Sequence, residues 1–140
     1  MTRLLCLGSI VIAAACTSPG SNVDLAKGDE TDPVVVSTEC RGAPADPLHL
    51  ATMAVEGDLL RVTVVYTGGC AQHAFAACWD GLVQETAPPR TSLTLHHDAN
   101  GDTCEARLSH EVLIDVSDLA FEIGSAALSD PDGTIQLVGR

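Results

Sequence analysis

The chain has 140 residues, of which 46% are hydrophobic and 3% aromatic. This length supports one domain with a substantial core, built from Val, Leu, Ile and Ala rather than from aromatic rings. The formal net charge of −12 argues against a nucleic-acid partner and against direct binding to an anionic membrane surface, since both would repel the protein.

The amino terminus has the organisation of a secretory signal. Arg3 supplies a positive charge, and an apolar run extends from Leu4 to Ala15. This run is too short for a permanent membrane-spanning helix, so residues 1–15 are predicted to be a cleaved signal peptide. The small residues before Cys16 resemble a bacterial lipobox, which implies that Cys16 becomes the lipidated first residue. The alternative is ordinary signal cleavage, with Cys16 lost or left free.

Residues 16–33 are predicted to form the lipidated N-terminus and a flexible tether. The stretch from Thr17 to Pro33 is rich in Ser, Gly, Asp and Pro, so it offers little apolar surface to bury. By analogy with the sorting rule of Gram-negative lipoproteins, the absence of Asp after Cys16 indicates the outer membrane. We therefore expect a cell-envelope lipoprotein, either periplasmic or surface-facing.

The sequence pattern of residues 34–140 predicts an all-β domain. Short apolar runs alternate with turn residues, and no apolar stripe at helical spacing is longer than a turn or two. Val34-Val35-Val36 is expected to be the first strand. A total of roughly seven to nine short strands favours an antiparallel, immunoglobulin-like β-sandwich over a closed barrel.

Gly57-Asp58 predicts a two-residue turn within a hairpin from Leu48 to Thr67. Such a turn pairs Val55 with Leu60, Met53 with Val62, Ala51 with Val64 and His49 with Tyr66. Apolar side chains then meet on one face, as a half-solvated sheet requires. We interpret His49 as a packing residue beside Tyr66 rather than as a ligand.

The next predicted strand runs from Ala74 to Val83. Phe75 and Trp79 share one parity and are expected to point inward, which places Cys78 on the opposite face. A surface connection containing Pro88-Pro89 follows, because proline cannot donate the hydrogen bonds of a central strand.

Asn100-Gly101 is the strongest short hairpin signal in the sequence. A two-residue turn there pairs Leu93 with Leu108, Leu95 with Ala106 and His97 with Cys104. On this prediction His97 and Cys104 face the same side of the sheet. A last hairpin, around Asp130 to Gly133, is expected to pair Leu128 with Ile135 and Ala126 with Leu137.

Six cysteines occur in the chain, with Cys6 in the signal and Cys16 at the lipid site. An exported domain with the remaining four suggests two disulfides, for which three connectivities are possible. The predicted strand positions favour Cys70 with Cys104, and Cys40 with Cys78. In the chain-entropy model each bond contributes about 3 to 4 kcal/mol to stability.

A metal site is the alternative use of the same residues. Two thiolates and two imidazoles, which together make a closed, structural zinc set, would come from Cys70, His73, His97 and Cys104.

Other site motifs are incomplete in this chain. The start of a calcium loop is imitated by Asp98, Asn100 and Asp102, but Thr103 stands where the required glycine should be. The chain has no Gly-x-Ser-x-Gly, and no second His follows His110-Glu111 at metalloprotease spacing. His110 is interpreted as a buried partner rather than a base.

A spaced motif relates this chain to a known family. It consists of Gly68-Gly69-Cys70-x-x-His73-x-Phe75, then His97, then Gly101-Asp102-x-Cys104-Glu105-Ala106, and then Asp115-Val116-Ser117-x-Leu119. Over roughly Ala51 to Ala120 it resembles the C-terminal β-sandwich domain of NigD-like bacterial lipoproteins. The resemblance implies a lipid-anchored β-sandwich of unknown biochemical activity. This chain is expected to lack the small N-terminal barrel of that family, and it adds Cys40 and Cys78.

These features predict a non-enzymatic outer-membrane lipoprotein without a cofactor. Its disulfide-linked sandwich would contact the membrane through the lipid anchor and bind an envelope protein or another envelope component. A zinc-binding envelope module is the competing function, using Cys70, His73, His97 and Cys104. A hydrolase with histidine chemistry at His73 and His97 is a third possibility.

Overall fold

The computed structural model describes residues 23–120, 122–130 and 132–140. Within these residues the chain forms eight β-strands and no helix, as the sequence predicts. The strands are β1 (Val34–Ser37), β2 (His49–Glu56), β3 (Leu59–Gly68), β4 (Ala74–Trp79), β5 (Arg90–Asp98), β6 (Ala106–Asp115), β7 (Ile123–Asp130) and β8 (Thr134–Gly139). Nothing in the described ranges could serve as a membrane-spanning helix.

The eight strands form one hydrogen-bonded sheet in the order β2-β3-β6-β1-β4-β5-β8-β7. Its edge strands, β2 and β7, lie against each other, so the sheet curls around the core. The prediction of a purely antiparallel sheet is wrong at β1, which runs parallel to both β4 and β6. The preceding segment reaches the sheet beside the start of β4, where Ala26 pairs with Phe75, so β1 runs in the direction of β4. The immunoglobulin-like sandwich stays a prediction.

The core is aliphatic, as the composition requires. Phe75 is the largest side chain that is fully buried, and it packs among leucine and β-branched residues. The buried apolar residues of the strands include Val34, Leu50, Leu60, Val62, Val64, Leu93, Leu95, Val112, Ile114, Ile135 and Leu137. Together with Phe75 they come from seven of the eight strands, so both halves of the sheet cover one core.

The β2–β3 hairpin has the predicted turn but only part of the predicted register. Val55 pairs with Leu60 and Met53 with Val62, as expected. A β-bulge between Leu50 and Thr52 then shifts the pairing by one residue. Leu50 therefore lies opposite Val64 and is buried, whereas His49 is exposed opposite Val65. The predicted packing of His49 is wrong because the bulge exchanges the inward-facing and outward-facing positions at the start of β2. Leu50, rather than the predicted Ala51, then lies inside opposite Val64, and His49 faces outward.

The strand predicted from Ala74 to Val83 is shorter than expected. Phe75 points into the core and Trp79 packs against it, but β4 ends at Trp79. Gly81 adopts a positive φ of 77°, and the Asp80 carboxylate accepts the Leu82 backbone N–H at 2.9 Å. These local interactions form a turn, so Val83 lies outside the strand and is 37% exposed.

The predicted pairing of β5 with β6 is wrong. Asn100 and Gly101 do form a tight turn, with φ values of 51° and 68° and an Asp102 N–H to Ala99 oxygen bond of 3.0 Å. However, β5 pairs with β4 and β8, whereas β6 pairs with β3 and β1. A turn fixes only the local reversal of the chain. The partner of β6 is decided by its continuous ladder with β3, from Leu59–Asp115 to Gly68–Ala106.

The predicted β7–β8 register is confirmed, since Leu128 pairs with Ile135 and Ala126 with Leu137.

Part of the predicted tether contacts the sheet. Ala26 exchanges two backbone hydrogen bonds with Phe75, at 2.9 and 2.7 Å. The Gly28 carbonyl accepts the Leu113 N–H at 2.7 Å, and Val23 is buried. Residues 1–15 and Cys16 lie outside the described residues. The described part of residues 16–33 thus gains order from backbone bonding, which its apolar content does not indicate.

Both predicted disulfides are confirmed. Cys40 pairs with Cys78 and Cys70 with Cys104, with Cα separations of 5.9 and 5.8 Å. The first bond fixes the chain after β1 to β4, and the second joins the end of β3 to the segment before β6. Each bond therefore links parts of the fold that are distant in the sequence.

Replacement of a core leucine should destabilise the protein far more than replacement of an exposed one. Leu60 is fully buried and Leu82 is 70% exposed. We expect Leu60→Ala to lower the free energy of unfolding by about 2 to 5 kcal/mol, through lost apolar contact and a residual cavity. Leu82→Ala should change it by less than about 0.5 kcal/mol. Urea unfolding measures both variants, and equal losses would contradict this description of the core.

Candidate functional site

Two segments singled out by the sequence meet at one end of the sheet. The glycine corner, residues 68–71, begins at the last residue of β3, and the turn at residues 99–102 follows β5. The disulfide between Cys70 and Cys104 joins the corner to the chain just after the turn. His73 precedes β4, and His97 lies near the end of β5. The candidate site is the set of side chains enclosed between these segments.

Asp102 is the link between the turn and the glycine corner. Its Oδ2 atom accepts the backbone N–H groups of Gly69, Cys70 and Ala71, at 2.8, 2.9 and 2.9 Å. Its Oδ1 atom accepts the N–H of Cys104 at 2.9 Å, and the carboxylate has no solvent exposure. Successive N–H groups that converge on one oxygen make an anion-binding nest. The backbone bonds from Cys104 and Ala71, together with His73, hold the pKa of Asp102 well below its usual range.

The two histidines extend this contact into the interior. His73 donates from Nε2 to Asp102 Oδ2 at 3.0 Å. Its Nδ1 lies 2.7 Å from Nε2 of His97, and Nδ1 of His97 lies 3.1 Å from the carbonyl oxygen of Pro47. His73 is 7% exposed and His97 is 1% exposed. Burial lowers the pKa of His97, and the hydrogen bond to the Pro47 carbonyl opposes that shift.

Aromatic rings pack around the histidine pair. Tyr66 stacks on His73 with 4.5 Å between ring centroids, and it lies 4.7 Å from His97. Phe75 stacks on His97 at 5.3 Å and on His110 at 5.8 Å. Burial raises the pKa of Tyr66, so its hydroxyl stays neutral at physiological pH. The imidazoles are therefore part of an aromatic cluster inside the fold.

A proline-containing strap, residues 40–47, covers the β5 side of the site. The Cys40–Cys78 disulfide fixes its first residue. At its other end Asp46 donates its N–H to the His97 carbonyl at 3.0 Å and accepts the Ala99 N–H at 2.7 Å. His96 Nδ1 lies 3.1 Å from the Pro44 carbonyl oxygen. Carbonyl groups of the strap thus meet the rings of two consecutive histidines.

The four residues of the predicted zinc set lie close together but do not form one ligand set. The sulfur atoms of Cys70 and Cys104 are bonded to each other. The ring nitrogens of His73 and His97 are engaged with Asp102, with Pro47 and with each other. Within the described ranges, one group with metal-ligand spacing consists of Cys70, Asp102 and Cys104, whose ligand atoms lie within 4.8 Å. The disulfide and the hydrogen bonds to Asp102 already use those atoms.

Sequence reasoning identified the histidines but missed the role of Asp102. In the sequence Asp102 imitates part of a calcium loop, whereas in the structure its carboxylate turns inward to the glycine corner. Asp98 instead caps the turn by accepting the Asn100 N–H at 2.8 Å. His110 is predicted to be a buried partner, but it is only half-buried, with its ring stacked on Phe75 and its Nε2 atom 3.4 Å from the Lys27 carbonyl oxygen. The available signal for Asp102 was the pair of glycines at 68 and 69, which can expose several N–H groups to one anion.

Gly68 is the position at which a side chain would disrupt the site. A Cβ atom there would lie 2.5 Å from His73 Nε2 and 2.9 Å from Asp102 Oδ2. We expect Gly68→Ala to lower the free energy of unfolding by at least about 1 to 3 kcal/mol, the usual cost of overpacking. Chemical denaturation of the variant checks this value.

A matched control separates this clash from a general effect on β3. Thr67→Ala, at the exposed neighbouring position, should leave stability within about 0.5 kcal/mol of the parent. In a His73→Ala background, Gly68→Ala should cost less, because the closest atoms are gone. An unchanged cost in that background would contradict the proposed clash.

Acid should weaken the fold through His97 and Asp102. Both pKa values are lowered in the folded state, from 6.5 and 3.8 respectively. The unfolded chain therefore binds more protons than the folded chain at low pH, so stability falls as pH falls. The contribution of His97 is full above its unfolded pKa, and it is lost as pH decreases through the folded pKa. Asp102 adds a second loss at lower pH.

Urea unfolding at about pH 7 and about pH 5 tests the histidine part of this dependence. His97→Gln should reduce the loss of stability between these pH values, because it removes the titrating ring. His49→Gln, at an exposed histidine, should retain the loss. The same pH dependence in both variants would rule out His97 as its source.

Comparison with protein-family models, curated protein sequences and solved structures finds no match for this chain. The resemblance to NigD-like lipoproteins therefore stays a prediction that depends on the spaced motif.

Proposed function

We propose that this chain is an exported lipoprotein of the outer membrane, anchored through Cys16, whose all-β domain has a non-enzymatic binding or structural role in the cell envelope. The observation that carries the proposal is the oxidation of Cys40, Cys70, Cys78 and Cys104 into two disulfides. Such bonds persist in the periplasm and at the cell surface and are rare in the cytosol. They support the export that the N-terminal signal pattern predicts.

The state of the candidate site supports a non-enzymatic role. A catalytic histidine needs a proton donor or acceptor within reach of a substrate. Each ring nitrogen of His73 and His97 instead contacts a group of the protein, and both rings are buried. Among the described residues, no hydroxyl or thiol group hydrogen-bonds to either ring. This arrangement favours a structural use of the histidines over hydrolysis.

The burial of His73 and His97 supports binding at the outer surface of the domain rather than at the candidate site. The net charge of −12 favours an envelope protein or another envelope component over nucleic acid, which such a surface repels. The lipid at Cys16 would supply the membrane contact, since acyl chains anchor a protein without any spanning segment. The family resemblance agrees with this assignment.

Mass spectrometry of the mature protein tests the anchor. We expect the mature chain to begin at Cys16 and to carry the mass of a diacylglyceryl group on that residue. Cys16→Ser should lack this mass and should accumulate with its signal attached, because the lipidated sulfur is gone. A mature N-terminus without diacylglycerol would overturn the lipoprotein assignment, while leaving the disulfide-linked domain unaffected.

Metal analysis tests the competing zinc function. The proposal expects no stoichiometric zinc in untagged protein purified from the periplasm, since the disulfide withholds both thiolates. His49→Gln, which changes an exposed histidine outside the site, should likewise contain no stoichiometric zinc. About one zinc per chain, lost in Cys70→Ser and retained in His49→Gln, would instead establish the zinc-binding alternative.

A further inference from the structure

The hydrogen-bonded chain through the two histidines ends on an acceptor at each side. At one end the Asp102 carboxylate also accepts three backbone N–H groups through the same oxygen, so it is ionised and has no hydrogen to donate. At the other end the Pro47 carbonyl can only accept. Hydrogens for all the contacts between these ends must therefore come from the imidazole rings.

The contacts between the two ends need more hydrogens than two neutral imidazole rings supply. Three contacts connect Asp102, His73, His97 and Pro47, at 3.0, 2.7 and 3.1 Å. Each contact is a hydrogen bond only if one hydrogen lies between its two atoms. Two neutral imidazoles carry one ring hydrogen each, which leaves one contact with two facing lone pairs. Because an unpaired buried acceptor is costly, the geometry requires a third hydrogen on the pair.

The surroundings place the resulting positive charge on His73. This ring contacts the Asp102 carboxylate directly, and an adjacent anion favours the charged form of an imidazole. His97 remains neutral, because burial lowers its pKa and a charge on His73 repels a second one. The other titratable groups around the pair include Tyr66, Asp46 and, beyond Phe75, His110. Lys27 and Asp32 line the same cavity as His73. The pKa of Tyr66 is raised, so it supplies no competing charge up to mildly alkaline pH.

We propose that His73 and His97 together hold three ring hydrogens and one buried positive charge, and that this proton fastens the strap at residues 40–47 to the turn at residues 99–102. His73 then donates from both nitrogens, and His97 accepts at Nε2 and donates from Nδ1 to Pro47. Loss of the third hydrogen leaves one link of the chain unmade. The pair is thus a pH-sensitive latch on the strap, and it does not depend on lipid anchoring.

The direction of the pH dependence follows from proton counting. Free imidazole carries no extra proton above about pH 6.5, whereas the three contacts of the folded pair need the third hydrogen. The folded state therefore binds one more proton than the unfolded state in mildly alkaline solution, and stability falls as pH rises. The unfolding equilibrium constant should rise by up to about tenfold per pH unit between about pH 7 and about pH 9.

Nitrogen NMR of the full chain with both disulfides formed and ¹⁵N-labelled histidine tests the hydrogen count directly. At about pH 7 we expect His73 to be protonated on both nitrogens and His97 on Nδ1 alone. With rising pH the loss of one ring hydrogen should coincide with faster exchange of the Asp46 amide, which donates to the His97 carbonyl. One hydrogen on each ring at neutral pH would overturn the proposal.

A pair of variants gives an independent test by unfolding. In His97→Gln the side-chain amide can donate to His73 Nδ1, so no third hydrogen is needed. This variant should lose the alkaline rise in the unfolding constant, whereas His49→Gln, at an exposed histidine, should keep it. If His97→Gln retains the full rise, the proton lies elsewhere and the proposal is wrong. If His97→Gln does not fold, the NMR count on the parent protein decides alone.

Discussion

The burial of the Asp102 carboxylate is the constraint on which the candidate site depends. A carboxylate removed from water is costly unless charges or hydrogen bonds replace its hydration. Three N–H groups of the glycine corner, the N–H of Cys104 and the His73 ring supply that replacement. The Cys70–Cys104 disulfide joins the same two segments covalently. The covalent link and the hydrogen-bonded link therefore stabilise one junction, which fixes where β3, β4 and β5 meet.

The histidines extend this junction to the strap at residues 40–47. His73 and His97 connect Asp102 to the Pro47 carbonyl, while Tyr66 and Phe75 cover their ring faces. Glycine is needed at position 68, because any Cβ atom would enter the space of His73. The most reactive side chains of the domain are thus used in its architecture.

Local turn signals gave correct reversals but an incomplete account of strand pairing. Gly57-Asp58 and Asn100-Gly101 both form tight turns, yet only the first joins two paired strands. A strict alternation of inward and outward side chains also does not predict the bulge beside Leu50. In both places the outcome depends on which arrangement buries more apolar surface, and that quantity involves strands far apart in the sequence.

The sequence by itself determined the all-β class, the aliphatic core and the β7–β8 register, and it favoured the two disulfide pairs that form. These features depend on periodicity, turn residues and a small number of cysteines. Only the tertiary structure decided that β6 pairs with β3, that β1 is parallel to its neighbours, and that Asp102 reaches the glycine corner. Alternation predicts that a side chain points inward, but it does not specify which side chain it meets there. The contact between His73 and His97 required the two strands to be placed side by side, which is a property of the whole sheet.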